Sequence, residues 1–191
     1  MRSWMLLFAA LTAALGVALL FVVRENRRLR EQLVALAAAK ARAAGFEQGQ
    51  VLAPFTLRDA GGKAVHLDFA GEFLGTILFF HASSCGACEN SIPYFRSALD
   101  QAARPDVRVL CIQTDVVAGR PLDLEGLPAS LSVPLPPVGW LAALPAVPAT
   151  LVVDEHGVLA QAWWGELGAE DALELASAIV ELGATARVPS R

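Results

Sequence analysis

Cys85-Gly86-Ala87-Cys88 is the part of this chain whose residue types and spacing most directly imply chemistry. It follows an unbroken apolar run, Thr76 to Phe80, and opens a stretch with helical character. On a first helical turn, residues i and i+3 lie close enough to join as a disulfide with little backbone movement. Free backbone N–H groups and the helix dipole favour negative charge there, and so favour the thiolate, the species that carries out thiol–disulfide exchange. Cys85 is therefore the expected nucleophile. Cys88, one turn further in, is the expected resolving thiol. A Cys-x-x-Cys is also half of a zinc site, which needs two more ligands. The available groups are Cys111, His66, His81 and His156, and none is paired at metal-binding spacing. Cys111 falls inside an expected core strand, where a free cysteine packs as a small apolar residue. No metal or other cofactor is expected.

The surrounding elements must hold this pair. Phe55–Leu57, a turn at Asp59-Ala60-Gly61-Gly62, and Val65–Leu67 form an expected hairpin. Thr76–Phe80 has the continuous apolar character of a central strand buried on both faces. A helix is expected from Ser84-Cys85 to about Ala103, then a strand over Val107–Thr114. Residues 119–148 carry seven prolines and read as irregular, with a short strand near Val133-Pro134-Leu135. Thr150–Val153, the turn Asp154–Gly157 and Val158–Trp164 form a second hairpin. Trp163 and Trp164 alternate faces, one expected in the core and the other at the surface or facing a partner. A final amphipathic helix, Gly168–Leu182, is expected to face inward with Leu173, Ala176, Ile179 and Val180. Strand, helix, strand, hairpin and helix make a mixed α/β sheet.

In this order the chain resembles the thioredoxin-like superfamily. The apolar strand runs into Cys-x-x-Cys, and Pro93 falls five residues after the second cysteine. Val147-Pro148-Ala149-Thr150 precedes a strand as the superfamily's cis-proline segment does, and a hairpin follows. Val147–Gly157 and the early hairpin look like the membrane-anchored TlpA/ResA branch. Ile77–Cys88 is also similar to MauD-type maturation proteins. The resemblance spans about residues 52–182.

It implies a thioredoxin-like fold and a thiol–disulfide oxidoreductase acting on protein disulfides. It also implies a cis Pro148 lying against the disulfide, with the Val147 backbone free to pair with an extended substrate. Ser84, beside the nucleophile, joins Val147 and Pro148 as an expected substrate contact. A membrane thiol reductase is the implied partner that resets the dithiol. Two departures stand out. Many family members carry Trp where this chain has Ser84. Thioredoxins carry a buried acid six residues before the first cysteine, where this chain has Phe79. His81 is the nearest alternative base, although a single histidine at a strand end is more often structural. Glu89 is expected to complement the helix dipole.

The chain has 191 residues, one domain with an appendage. Residues 1–44 hold seven basic and two acidic side chains, leaving the remainder at −9. An acidic domain repels phosphate backbones, so no nucleic-acid partner is expected. Trp4–Val23 is twenty residues without a charge. As a helix it spans roughly 30 Å, the depth of a bilayer core. The expected organisation is a transmembrane anchor at 1–24, a helical stalk at 25–45 ending near Gly45, the thioredoxin-like domain at 46–185 and a tail at 186–191. Leu29, Leu33 and Leu36 form a stripe on the stalk. The expected location is the bacterial inner membrane with the domain in the periplasm. The arginines at 24, 27, 28 and 30 oppose that orientation under the positive-inside rule. Three alternatives compete: a redox-idle assembly factor, a metallochaperone, and a peroxiredoxin-like peroxidase. The metallochaperones resemble CxxxC plus a distant histidine, which this motif does not match. Peroxidase chemistry wants Pro-x-x-x-Thr/Ser-x-x-Cys, and Phe80–Cys85 lacks that proline.

Overall fold

The computed structural model describes residues 2–43, 46–59, 61–115, 122, 124, 126–128, 130–133 and 139–182; in the first helix, side chains are described for residues 4 and 14–41. The expected helix stop at Gly45, the turn residue Ala60, Pro134-Leu135 and the tail lie outside the described residues. The described residues divide into two compact units, Met1–Leu36 and Ala37–Arg191.

The first unit belongs to helix α1, Arg2–Ala43, which runs without a break past residue 24. Among the described residues, no helix is long and apolar enough to cross a membrane. The side chains of residues 5–13, within the apolar run, lie outside the described residues. Those that follow are apolar and exposed, from Leu15 to Val23.

The second unit is built on one seven-stranded sheet. Its strands are β1 Phe55–Arg58, β2 Ala64–Leu67, β3 Gly75–His81, β4 Val107–Gln113, β5 Leu131–Ser132, β6 Ala149–Asp154 and β7 Leu159–Trp164. They lie in the order β2-β1-β5-β4-β3-β6-β7. β3 pairs parallel with β4 and antiparallel with β6, so the sheet is mixed, as expected. The crossover between β3 and β4 is α2, Gly86–Ala102, and the chain closes with α3, Ala169–Glu181. Every residue of β3 is buried, because both faces of the sheet are covered. Ile77 and Phe79 join the core under α2 and α3; Leu78 and Phe80 join the core of the opposite face. The β6–β7 turn closes as expected. Asp154 Oδ1 accepts the N–H groups of His156 and Val158, both at 2.8 Å, and Gly157 supplies the required φ of +78°.

Three expectations need correction. The α3 face is shifted in phase: Ala172, Leu175, Ala176, Ala178 and Ile179 are buried, while Leu173 and Val180 are 61% and 53% exposed. The inward stripe follows the positions that approach α2 closely, and alanines permit that approach better than the larger Leu173. Both tryptophans are buried, since β7 too is covered on each face: Trp163 lies with the α2–α3 core and Trp164 with the opposite one. The short strand β5 falls at Leu131–Ser132, ahead of Val133.

Candidate active site

β3 ends at His81, and four residues later Cys85 starts α2 as its N-cap, with extended backbone at φ −113°, ψ 98°. The Cys85 carbonyl accepts the N–H groups of Cys88 at 3.0 Å and Glu89 at 3.1 Å. Its Sγ also accepts from the Cys88 N–H, at 3.1 Å. The sulfur thus sits where the orphan N–H groups of the helix point, the setting that stabilises a thiolate. Cys85 and Cys88 form a disulfide, S–S 2.09 Å, with Cα atoms 5.1 Å apart. Cys85 is half-buried and Cys88 has no exposure, so the two sulfurs are unequal in access. Glu89 is exposed in the first turn, placed to complement the dipole.

Pro93 lies inside α2 and withdraws the N–H that Glu89's carbonyl would otherwise receive. Ser91, fully buried, ties this region to the rest of the domain. Its Oγ–H donates to the Ala87 carbonyl at 2.7 Å, and its oxygen accepts the Leu167 N–H at 3.0 Å. Sequence reasoning missed this link between α2 and the β7–α3 loop.

Pairing of Phe80 with Ala149 brings the start of β6 beside the end of β3. The residue before Ala149 is Pro148, and the Val147–Pro148 peptide bond is cis, as the resemblance implied. Pro148 is buried, and its carbonyl accepts the Gly165 N–H at 2.8 Å. Val147 is half-buried and lines a cavity of about 280 Å³ with Thr114, Val133, Leu141 and Ala146. Ser84 is exposed in the loop before Cys85. The sheet therefore gathers Ser84, Cys85, Val147 and Pro148 at one end.

The β3–α2 loop is held by a residue that sequence reasoning did not single out. The Asp115 carboxylate, just past β4, accepts the Ser83 N–H at 2.9 and 3.1 Å, the Ser83 Oγ–H at 2.7 Å and a Gln113 amide N–H at 3.2 Å. Burial works to raise its pKa, but these hydrogen bonds outweigh it and hold the carboxyl below the usual range.

His81 is 2% exposed and shares hydrogen-bonding distance with Ser130, Nε2 to Oγ 2.7 Å. Burial pushes its pKa down, against the opposing influences of Asp115 and the Ala82 backbone. Nδ1 makes no hydrogen bond of acceptable geometry to any described group, Ala82 included. Phe79 occupies the place of the missing acid and is fully buried, stacked between Phe95 at 4.8 Å and His81 at 6.0 Å. A carboxylate there would be desolvated among rings.

Of the remaining candidate ligands, Cys111 is buried on β4 opposite Phe79, and burial pushes its thiol up to about 12. His66 and His156 are exposed on β2 and in the β6–β7 turn. Among the described residues, no group of three or more His, Cys, Asp or Glu side chains could hold a metal ion.

This arrangement is that of a thioredoxin-like protein equipped for thiol–disulfide exchange. Residues 48–162 match the model of the AhpC/TSA family, and the chain belongs to that family. No curated protein matches it. Among solved structures it is similar to a Chlorobium tepidum protein described as the thiol:disulfide interchange protein DsbE. They share 24% identity over 70% of this chain and 98% of the other, with a TM-score of 0.53. A Bacteroides thetaiotaomicron protein described as a protein disulfide isomerase gives 21% identity over 71% and 89%, also with a TM-score of 0.53. A DsbF homologue from Corynebacterium diphtheriae gives 17% over 69% and 87%, with a TM-score of 0.50. At these identities the likeness establishes the fold, which is the one expected from the TlpA/ResA resemblance.

Proposed function

We propose that the chain is a membrane-tethered thiol–disulfide oxidoreductase that reduces disulfides of client proteins, serving protein, cytochrome or enzyme maturation. The observation that carries this reading is the Cys85–Cys88 disulfide at the start of α2, with Cys85 half-buried and Cys88 fully buried. In the reduced chain the Cys85 thiolate attacks one client sulfur and releases the other as a thiolate, which takes up a proton. Cys88 then gives up its proton and attacks Cys85 Sγ. This forms the intramolecular disulfide and releases the second client sulfur, which takes up the proton Cys88 gave up and leaves as a thiol. The client gains two electrons and two protons, and the dithiol loses them. A membrane thiol reductase returns them. Pro148 has no N–H to offer, and Val147, outside the β6 ladder, supplies backbone for an extended client strand.

Tethering is supported by the charge-free Trp4–Val23 run, all of it within one continuous helix. The proposed placement is the bacterial inner membrane with the domain in the periplasm, an oxidising compartment suited to disulfide chemistry.

The test is a redox titration of the full chain in micelles, counting alkylated thiols by mass. A reversible two-electron step should disappear in Cys85→Ser and in Cys88→Ser. A midpoint near about −270 mV marks a reductant; one near about −120 mV marks an oxidant. If the pair never interconverts, the enzymatic reading fails, and an assembly factor or metallochaperone takes its place. A reporter fused after Arg191, active only outside the cytoplasm, tests the orientation.

A further inference from the structure

The carboxy-terminal turns of α1 are integrated into the second unit. Ala37, Ala38 and Ala41 pack in the same core as Trp140, Leu144 and Val147, and Ala41 is completely buried. Alanines on one helical face let the backbone come close to its neighbour. Lys40 Nζ, on the same turn, donates to the Pro145 carbonyl at 3.3 Å, three residues before Pro148. Phe46 then donates its N–H to the Ala41 carbonyl at 2.9 Å, and its ring meets Trp140 edge-on at 5.9 Å.

Trp140 is the other fixed point of this segment. It lies in a 3₁₀ turn, Gly139–Ala143. Its ring is edge-on to Phe55 at 4.9 Å and to Phe80 at 6.0 Å, and its Nε1–H donates to the Ala53 carbonyl at 3.0 Å. Among the described residues, residues 144–147 make one backbone–backbone hydrogen bond, to the 3₁₀ turn. Leu144 N–H reaches the Leu141 carbonyl at a long 3.4 Å. Among the described residues, α1 adds a hydrogen bond to Pro145 and shares with the aromatic cluster the core that Leu144 and Val147 pack against.

We infer that the last turns of α1 are a positioning element for residues 144–148, so that the client-binding surface is completed by the helix that precedes the domain. This rests on the proposed function, in which Val147 pairs with an extended client. The geometry separates two kinds of substrate. A disulfide-linked peptide uses the Val147 backbone, whereas a small aromatic disulfide without a peptide backbone needs only Cys85.

The experiment compares the full chain with Lys40→Ala, Lys40→Arg and Ala41→Leu in detergent micelles. One substrate is a self-quenched dimer of a fluorescein-labelled cysteine peptide, and the other is 5,5′-dithiobis(2-nitrobenzoate). Loss of one hydrogen bond should raise the peptide KM about threefold in Lys40→Ala. Overpacking the buried alanine should raise it about tenfold in Ala41→Leu. Lys40→Arg keeps a donor and should retain the original KM. In every variant kcat for the peptide, the rate with the aromatic disulfide and the dithiol midpoint should stay unchanged. An unchanged peptide KM in Lys40→Ala and Ala41→Leu overturns the inference. So does an equal loss of rate with both substrates, which marks general destabilisation. A chain whose Cys85–Cys88 pair fails the redox titration overturns the proposed function, and this inference with it, on a separate assay.

Discussion

Removing the charge of Asp115 should loosen the loop that presents Cys85. Two donors on Ser83, the N–H and the hydroxyl, converge on this carboxylate, with Gln113 as a third. Hydrogen bonds to a charged group contribute about 1.5–3 kcal/mol each, so the Ser83 pair alone has a gross value of about 3–6 kcal/mol. Asp115 is partly exposed, and water replaces part of what is lost. Halving the lower figure leaves about 1.5 kcal/mol for Asp115→Ala, and less, about 1 kcal/mol, for Asp115→Asn, which keeps one acceptor oxygen. For a domain of this size, 1 kcal/mol moves Tm by roughly 2–4 °C.

The pH dependence makes the prediction specific. The folded pKa of Asp115 is held below its unfolded value of about 3.9. A depressed carboxyl contributes stability that is fully present above the unfolded pKa and is lost as pH falls through the folded one. The gap between the original chain and Asp115→Asn should therefore be steady from pH 7 to about pH 5 and close toward pH 2, as the Asp115 carboxyl is neutralised and matches the uncharged amide. Thermal melts by circular dichroism of both chains across that range provide the measurement. A gap equally wide at pH 2 and pH 7 refutes the electrostatic argument. Equal Tm values at pH 7 refute the claim that the carboxylate holds the loop.

Cys111 is buried with its thiol pushed up to about 12, so in the native reduced chain at pH 8 the half-buried Cys85 should label and Cys111 should label only in denaturant. His81 is buried with a lowered pKa, so below about pH 6.5 the unfolded chain takes up a proton that the folded chain resists, and stability falls as pH falls. In His81→Gln the Tm difference between pH 7 and pH 5 should shrink; an unchanged slope would assign it to other groups. Gly75→Ala places a Cβ 2.7 Å from Leu182 Cδ1 and 2.8 Å from the Val153 carbonyl oxygen. The strand must move, at a cost of about 1–3 kcal/mol, read as a lower denaturation midpoint in urea.

What was legible in the sequence was local. An unbroken apolar run is long enough for a doubly covered strand, and Thr76–Phe80 became the centre of β3. Two cysteines one turn apart at a helix start need no distant information to be placed together. The cis state of Pro148 was expected through resemblance alone, since nothing in Val147-Pro148 distinguishes it locally. The misses share a cause. Ser83 meets Asp115 across 32 residues, and Ser91 meets Leu167 across 76. Such pairings leave no periodicity, because each partner is an ordinary polar residue in its own neighbourhood. The α3 error has the same root, because hydrophobicity ranks Leu173 above Ala172, whereas the distance to α2 decides which position is buried.

That distinction bears most on the end of α1. Residues 25–45 read as a stalk, a helix rich in Ala, Leu, Arg and Gln whose Leu29, Leu33 and Leu36 stripe is short, and after Leu36 it offers no large apolar side chain. Burial of a large side chain is one way to join a helix to a core; close approach of the helix itself is another. Ala41 has no exposure, although it removes little apolar area from water, because its neighbours come up to the backbone. The large surfaces in that core belong to Phe46, Trp140 and Trp164, and the Phe46 ring meets the two tryptophans edge to face at 5.9 and 5.3 Å. An alanine-rich helix can therefore be an integral wall of a domain whose tryptophans lie about 100 positions or more away. Hydrophobic patterning along the helix registers only the side that contributes least area. The residues that identify the contact are the tryptophans, whose partners become visible only once the sheet has brought them to the same face.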